Sequence, residues 1–299
     1  PKGSMQLVDR EKSEGIKSAT RFFPRKLSSG GSAANTIHGL AMLGADTGFI
    51  GSIGRDETGD FFENDMKKAG VNTLLIRRNS VTGTAVALIS ADTERTFATH
   101  LGAAVELTAS DLKPMLFEGY DILYLEGYLI NDKQLVETAC RFARENGMQI
   151  ALDLASYNVV QAHLDSFKKI VKDYVDILFA NEQESWEFTG LEPEKALPEM
   201  AKLCEIVILK TGAEGSWIKR GNETIRVSAF PVKCVDTTGA GDLYAAGFLY
   251  GLSMGSGLEF CGTIGSLMAG KVIEIVGARM DVEKFSEIIT EIASLAGNK

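Results

Sequence analysis

Little in this sequence suits disulfide, metal or histidine chemistry. The four cysteines, Cys140, Cys204, Cys234 and Cys261, lie far apart without a C-x-x-C pair, so neither a zinc site nor a disulfide framework is expected. Buried thiols in a reducing compartment are expected instead. The three histidines, His38, His100 and His163, sit in no G-x-S-x-G or H-E-x-x-H context, which removes two common catalytic arrangements. No apolar run reaches the roughly 18 residues that a membrane span needs, and no signal-peptide pattern opens the chain, so a cytoplasmic protein without a membrane partner is expected. Positive charge is also short. Lys and Arg number 31 against 40 Asp and Glu, a net charge of −9, which argues against a surface built for nucleic acid. An anionic substrate would need a local positive site. Dinucleotide and P-loop fingerprints are missing too: the glycines of "GSIGRDETG" fall at 51, 54 and 59, matching neither G-x-G-x-x-G nor G-x-x-x-x-G-K-[ST]. The start, "PKGSMQLVDREK", has neither an initiator Met nor an apolar strand-like run.

What is present fits a large α/β protein. With 299 residues, 45% of them hydrophobic, the chain can bury a sizeable core as one large domain or two smaller ones. From about residue 110, short apolar runs at 120–127, 147–155, 175–181 and 205–212 read as buried strands. Helical spacing separates them, as in 131–147, where Asn131 is the expected N-cap and Gly147 the C-cap. Alternation of this kind predicts a mostly parallel sheet with helices on both faces. Ligands then bind outside the carboxyl ends of the strands, so "LEGY", "DLAS", "ANEQE" and "KTGAEG" are expected along one cleft. Residues 74–101 read differently, as a hairpin of "TAVALIS" and "RTFATHL" in a small antiparallel sheet, with residues 5–27 as additional strands. The expected division is a large domain of 28–73 and 102–299 beside a small β lid of 1–27 and 74–101.

Each glycine-rich stretch has a plain and a functional meaning. "GGSAAN" is either a loop with Ser32 as N-cap, or a backbone at Gly30 and Gly31 that approaches a ligand with Asn35 reaching into it. In "GSIGRDETG", Asp56 as a helix cap explains most of the pattern. "NEQE", Asn181 to Glu184, is a helix start with favourable acids, or an amide and carboxylates that organise hydrated Mg2+. "KTGAEG", Lys210 to Gly215, could be a hairpin connection. In "VDTTGAGDLYAAG", Gly239, Ala240 and Gly241 offer free amides at a helix start, an anion site suited to a phosphoryl group. Asp242 is a cap, or a base that the helix dipole holds as carboxylate. The small residues 245–247 permit close helix packing.

Together, in this order and over nearly the whole chain, "GGSAAN", "GSIGRDETG", "NEQE", "KTGAEG" and "DTTGAGDLYAAG" resemble the PfkB or ribokinase-like family of carbohydrate and nucleoside kinases. "GGSAAN" and "ERTFATHLGAA" (94–104) look more like its adenosine kinase branch. The resemblance implies a ribokinase-like α/β fold with a β lid, and ATP- and Mg2+-dependent phosphorylation of a primary hydroxymethyl group. It makes Asp242 the catalytic base, with Gly239, Ala240 and Gly241 as the anion hole. Gly30, Gly31 and Asn35 would hold sugar hydroxyls, and Tyr128 would lie against the acceptor's base. Asn181 and Glu184 would order Mg2+ through water. Lys210, Thr211, Gly212 and Gly215, with Ile273 to Gly277, would border ATP, and Arg95 would neutralise phosphates. Asp236 and Thr238 match a monovalent-cation position, K+ in several members. Members begin with a strand carrying a G-N-x-x-x-D-like segment that grips the acceptor. Nothing before "GGSAAN" matches it, so by family analogy an N-terminal piece of about 25 to 35 residues is expected to precede Pro1. The resemblance also implies a monomer or a homodimer formed through the lid. Other expectations stay open: a ribokinase- or fructokinase-type acceptor, or a non-catalytic nucleotide or sugar binder on the same fold.

Overall fold

The computed structural model describes residues 5–89 and 95–297. The chain forms two compact units, Pro1–Ser29 with Gly48–Leu107, and Gly30–Thr47 with Thr108–Lys299. Residues 48–73 therefore group with the smaller unit, where the sequence places them with the larger one. Among the described residues no helix is long and apolar enough to cross a membrane.

In the smaller unit, β1 (Met5–Leu7) precedes α1 (Arg10–Ala19), so residues 5–27 supply one short strand and a helix rather than several strands. The reason is local. Asp9 caps the helix by accepting from the Lys12 amide at 2.8 Å, and Glu14 pairs with Lys17 one turn on. Two parallel strands, β2 (Gly48–Gly54) and β3 (Asn72–Arg78), are joined through α3 (Glu57–Lys68). The expected hairpin is present as β4 (Thr84–Ile89) antiparallel to β5 (Arg95–His100), with β1 parallel to β5. Its turn, residues 90–94, lies outside the described residues.

The larger unit opens with α2 (Ser32–Met42) and then alternates strand and helix. Four strands, β6 (Ile122–Glu126), β7 (Gln149–Asp153), β8 (Ile177–Asn181) and β9 (Ile206–Lys210), are parallel neighbours in that order. Between them lie α4 (Lys133–Glu145), α5 (Tyr157–Ala162), α6 (Leu164–Tyr174), α7 (Glu182–Thr189) and α8 (Pro193–Met200). Strands β10 (Ser216–Arg220) and β11 (Glu223–Val227) continue the sheet antiparallel. Helices α9 (Ala240–Ser253), α10 (Leu258–Val272) and α11 (Val282–Gly297) complete the unit. Continuous apolar runs such as Val207-Ile208-Leu209 are fully buried, as expected for strands covered on both faces. The N-cap of α4 is Asp132, accepting from the Leu135 amide at 2.9 Å, rather than Asn131; Asn146 is the C-cap, followed by left-handed Gly147.

Helices α9 and α10 are apolar on nearly every side, which a solvent-facing helix is not, and both are buried. The small residues near the start of α9 let them pack closely: a Cβ on Gly247 would stand 2.6 Å from the Ile264 carbonyl oxygen. Phe248 of α9 meets Phe179 of β8 edge to face at 5.6 Å, tying α9 to the sheet. Truncating Phe248 to Ala would cost about 3–5 kcal/mol of stability. All four cysteines are free thiols. Cys140 and Cys261 are buried and Cys204 partly so, but Cys234 is exposed, where a buried thiol is expected.

Candidate active site

The strand ends set the chemistry. Strands β6 to β9 finish on Glu126, Asp153, Asn181 and Lys210, with Glu126 paired in register to Asp153 and Asn181 to Lys210. Apolar interiors that end on polar residues place those side chains at the carboxyl edge of the sheet, where open α/β sheets bind ligands.

Asp242 is not a cap. Gly239, with φ +81°, is the N-cap of α9, and Asp242 lies within the first turn. A side chain at Gly239 would suffer the left-handed backbone and also stand 2.5 Å from the Ala278 Cβ. The Asp242 carboxylate is held by α2: Ser32 Oγ donates to Oδ1 and Asn35 Nδ2 to Oδ2, each at 2.8 Å. Ser32 is thus not the N-cap of α2, a place taken by Gly31, because its hydroxyl is used by Asp242. More than the helix start acts on the ionisation of Asp242. Burial lifts its pKa above the usual aspartate value, against the lowering effect of Asn35 and Ser32, with the charge of Asp153 adding to the rise.

Sequence reasoning missed Glu126 and Asp153. Glu126 accepts from the Ala33 amide at 2.8 Å, so the first turn of α2 holds two carboxylates on consecutive residues; burial raises the Glu126 pKa. Asp153 is buried, accepts from Lys210 Nζ at 2.8 Å, and accepts from the Ala155 amide at 2.9 Å. Ala155, with φ +64°, is the one non-glycine residue with positive φ among those described. Lone carboxylates at strand ends carry no motif, and Lys210 lies 57 residues beyond Asp153.

The remaining expected residues fall as follows. Asn181 and Glu184 form a closed capping box on α7: Glu184 N donates to Asn181 Oδ1 at 2.9 Å, while Asn181 N and Nδ2 donate to the Glu184 carboxylate, both at 2.8 Å. Burial raises the Glu184 pKa although the charge of Lys210 opposes it. Among the described residues no group of three or more His, Cys, Asp or Glu is gathered to hold a metal ion, and Mg2+ commonly needs only one or two carboxylates beside water and phosphate. "KTGAEG" is the β9–β10 connection; Thr211 N bonds the Gly215 carbonyl at 2.9 Å, and Gly212 and Gly215 both have positive φ. Asp236 braces the loop before α9, accepting from Thr238 N and Oγ1 at 3.2 and 2.9 Å and from Gly277 N at 2.6 Å. Its own amide and that of Val235 bond the Ile273 carbonyl. Tyr128 is partly exposed just after β6. Gly30 and Gly31 are exposed ahead of α2. Arg95 opens β5 in the smaller unit, and its side chain lies outside the described residues.

Several polar groups at the site are left without protein partners. The amides of Gly239 and Gly241 have no acceptor among the described residues, while that of Ala240 bonds the Thr237 carbonyl at 3.2 Å. Two buried polar atoms, Asn35 Oδ1 and Thr211 Oγ1, also lack partners.

The model of the pfkB family carbohydrate kinases matches residues 5–284. An uncharacterized sugar kinase of Archaeoglobus fulgidus is 32% identical over 251 residues, covering 81% of this chain and 96% of that protein. The adenosine kinase of Saccharomyces cerevisiae is 30% identical over 284 residues, covering 87% and 82%. The crystal structure of adenosine kinase from Sinorhizobium meliloti superposes with a TM-score of 0.90 at 34% identity, covering 97% of this chain and 91% of that one. The fold is ribokinase-like, and the protein, a phosphotransferase with an alcohol group as acceptor, belongs to the pfkB family of carbohydrate kinases.

Proposed function

We propose that the protein transfers the γ-phosphoryl group of ATP to a primary hydroxymethyl group of a nucleoside resembling adenosine, or of a furanose sugar. The observation that carries this is the division of labour at the start of α9. Ser32 and Asn35 hold both oxygens of Asp242, so its carboxylate does not satisfy the helix's own amides, and those of Gly239 and Gly241 remain for a ligand.

Asp242 orients the acceptor hydroxyl and takes its proton late, which suffices because phosphoryl transfer passes through a loose transition state. Its raised pKa makes it a better base than a solvent-exposed aspartate. Amides at Gly239 and Gly241 meet the negative charge that spreads over the equatorial oxygens. Asn35, through its unpartnered Oδ1, can also accept from a sugar hydroxyl. Mg2+ bound with ATP would neutralise phosphate charge, and Asn181 and Glu184 are the residues that would order its water. K+ at the Asp236–Thr238 loop belongs to the same reading.

A sugar acceptor is the second reading, favoured by the similarity to the Archaeoglobus fulgidus sugar kinase. A panel of nucleosides, pentoses and hexoses, scored by ADP release, decides between them. Fastest turnover with adenosine or a close analogue supports the first reading, and turnover confined to free sugars supports the second. No ADP release with any member overturns both.

A further inference from the structure

The pair formed by Lys210 and Asp153 is built in an unusual way for a structural ion pair. It joins the ends of β7 and β9 across the intervening β8, and the side chains keep only 15% and 7% of their surface. Burying two charges costs desolvation that their attraction seldom repays, so such a pair is poor evidence of a stabilising role. Of the three ammonium N–H groups of Lys210, one goes to Asp153 Oδ2, and no other acceptor is found among the described residues. Nζ also lies against the start of α9, since a Cβ built on Gly241 would stand 3.3 Å from it.

Resting on the kinase reading above, we propose that Lys210 is the cation of the phosphoryl-transfer site. Asp153 is its positioning residue: one N–H stays on Asp153, while the other two turn to the oxygens of the transferring phosphoryl group beside the Gly239 and Gly241 amides. A lysine point charge serves the phosphates of P-loop enzymes in the same manner. In the step itself the acceptor oxygen bonds to the γ-phosphorus, the bond from that phosphorus to the ADP oxygen breaks, and the hydroxyl proton goes to Asp242. Lys210 keeps its protons throughout. Its role is to hold positive charge where an otherwise acidic site, with Glu126, Asp153, Glu184 and Asp242 around it, would repel a nucleoside triphosphate.

The test compares the binding of two nucleotides to the intact protein. ADP and the non-hydrolysable β,γ-methylene analogue of ATP are titrated by calorimetry into wild type, Lys210→Met, and the double variant Lys210→Met/Asp153→Asn. The double variant removes the uncompensated buried carboxylate and so guards against simple misfolding. Expected is a loss of about tenfold or more in affinity for the analogue, with ADP changed less than about threefold, in both variants. Turnover with the best acceptor should fall by about 10²-fold or more. Equal weakening of both nucleotides, or a double variant that binds the analogue as wild type does, overturns the assignment. Wild-type turnover with unchanged variants removes Lys210 alone, whereas a wild type that neither binds the analogue nor releases ADP removes the kinase reading and the lysine with it.

Discussion

Two helices of this molecule begin on a glycine-rich loop with an aspartate nearby, and they use that aspartate in opposite ways. At α3, Asp56 is the N-cap: it accepts from the Gly59 amide at 2.8 Å, and from the Thr82 amide and hydroxyl at 2.8 and 2.6 Å. At α9 the cap is glycine, and Asp242 accepts from a different helix. Burial would raise the Asp56 pKa, but its hydrogen bonds from Thr82 and Gly59 outweigh that and leave it lowered; Asp242 is left raised. An aspartate that satisfies its own helix is spent on stability, and one held from elsewhere leaves the amides and itself for chemistry.

The largest test of this contrast is turnover. Asp242→Asn should lower ADP release by about 10²–10⁴-fold with nucleotide binding kept, as loss of a general base does. Asp56→Asn should leave it essentially unchanged; a variant at 242 within tenfold of wild type would erase the distinction. Next comes stability in urea. Asp56→Ala should cost about 2 kcal/mol, since it strips a cap and leaves partly buried donors unpaired. Asp242→Asn should be neutral or stabilising, because a carboxyl with a raised native pKa opposes folding when ionised. A large loss there would mark Asp242 as structural.

A smaller effect concerns the partners of Asp242. Asn35 and Ser32 both lower the Asp242 pKa, so Asn35→Ala or Ser32→Ala should move the acid limb of kcat/KM to higher pH by about half a unit to one unit. An unmoved limb would mean that another group controls it. Smallest is the pH dependence of stability. Asp56 contributes stability that is present above its unfolded value of 3.8 and is lost as pH falls through its lower folded value. The contribution of Asp242 is present below 3.8 and is lost as pH rises through its higher folded value. Urea titrations from about pH 2.5 to 7 should therefore show Asp56→Asn falling further behind wild type as pH rises through the acid end, up to about 4, and Asp242→Asn gaining on wild type above that.

The legible parts of the fold were those written in continuous sequence. The runs that became β6 to β9 are apolar inside and polar at the end, which defines a doubly covered strand and its ligand-facing tip within a few residues. Asp56 could be recognised as a cap because its Gly59 partner is three positions away. Helix α1 went unseen because it is polar, carried by a cap and a charge pair rather than by an apolar stripe. Asp242 was found through the glycines before it, but its holders lie more than 200 residues away, at Ser32 and Asn35. The assignments of Ser32 as a cap and Asn35 as a sugar ligand were accordingly made without the carboxylate both of them meet. Glu126 and Asp153 lie in the "LEGY" and "DLAS" segments expected along the cleft, but the partners that define them are not local. Each acquires meaning from a partner that only the sheet brings near.

The uneven burial of the thiols has a practical consequence. Burial pushes the thiols of Cys140 and Cys204 up to about 12, and Cys261 is buried, so these three present little thiolate to a reagent. Cys234 is exposed, two residues before the aspartate that braces the approach to α9. A maleimide fluorophore should couple there first, at one dye per chain by mass spectrometry. The protein thus carries an attachment point for an optical reporter on the loop that leads into α9, without any engineered residue.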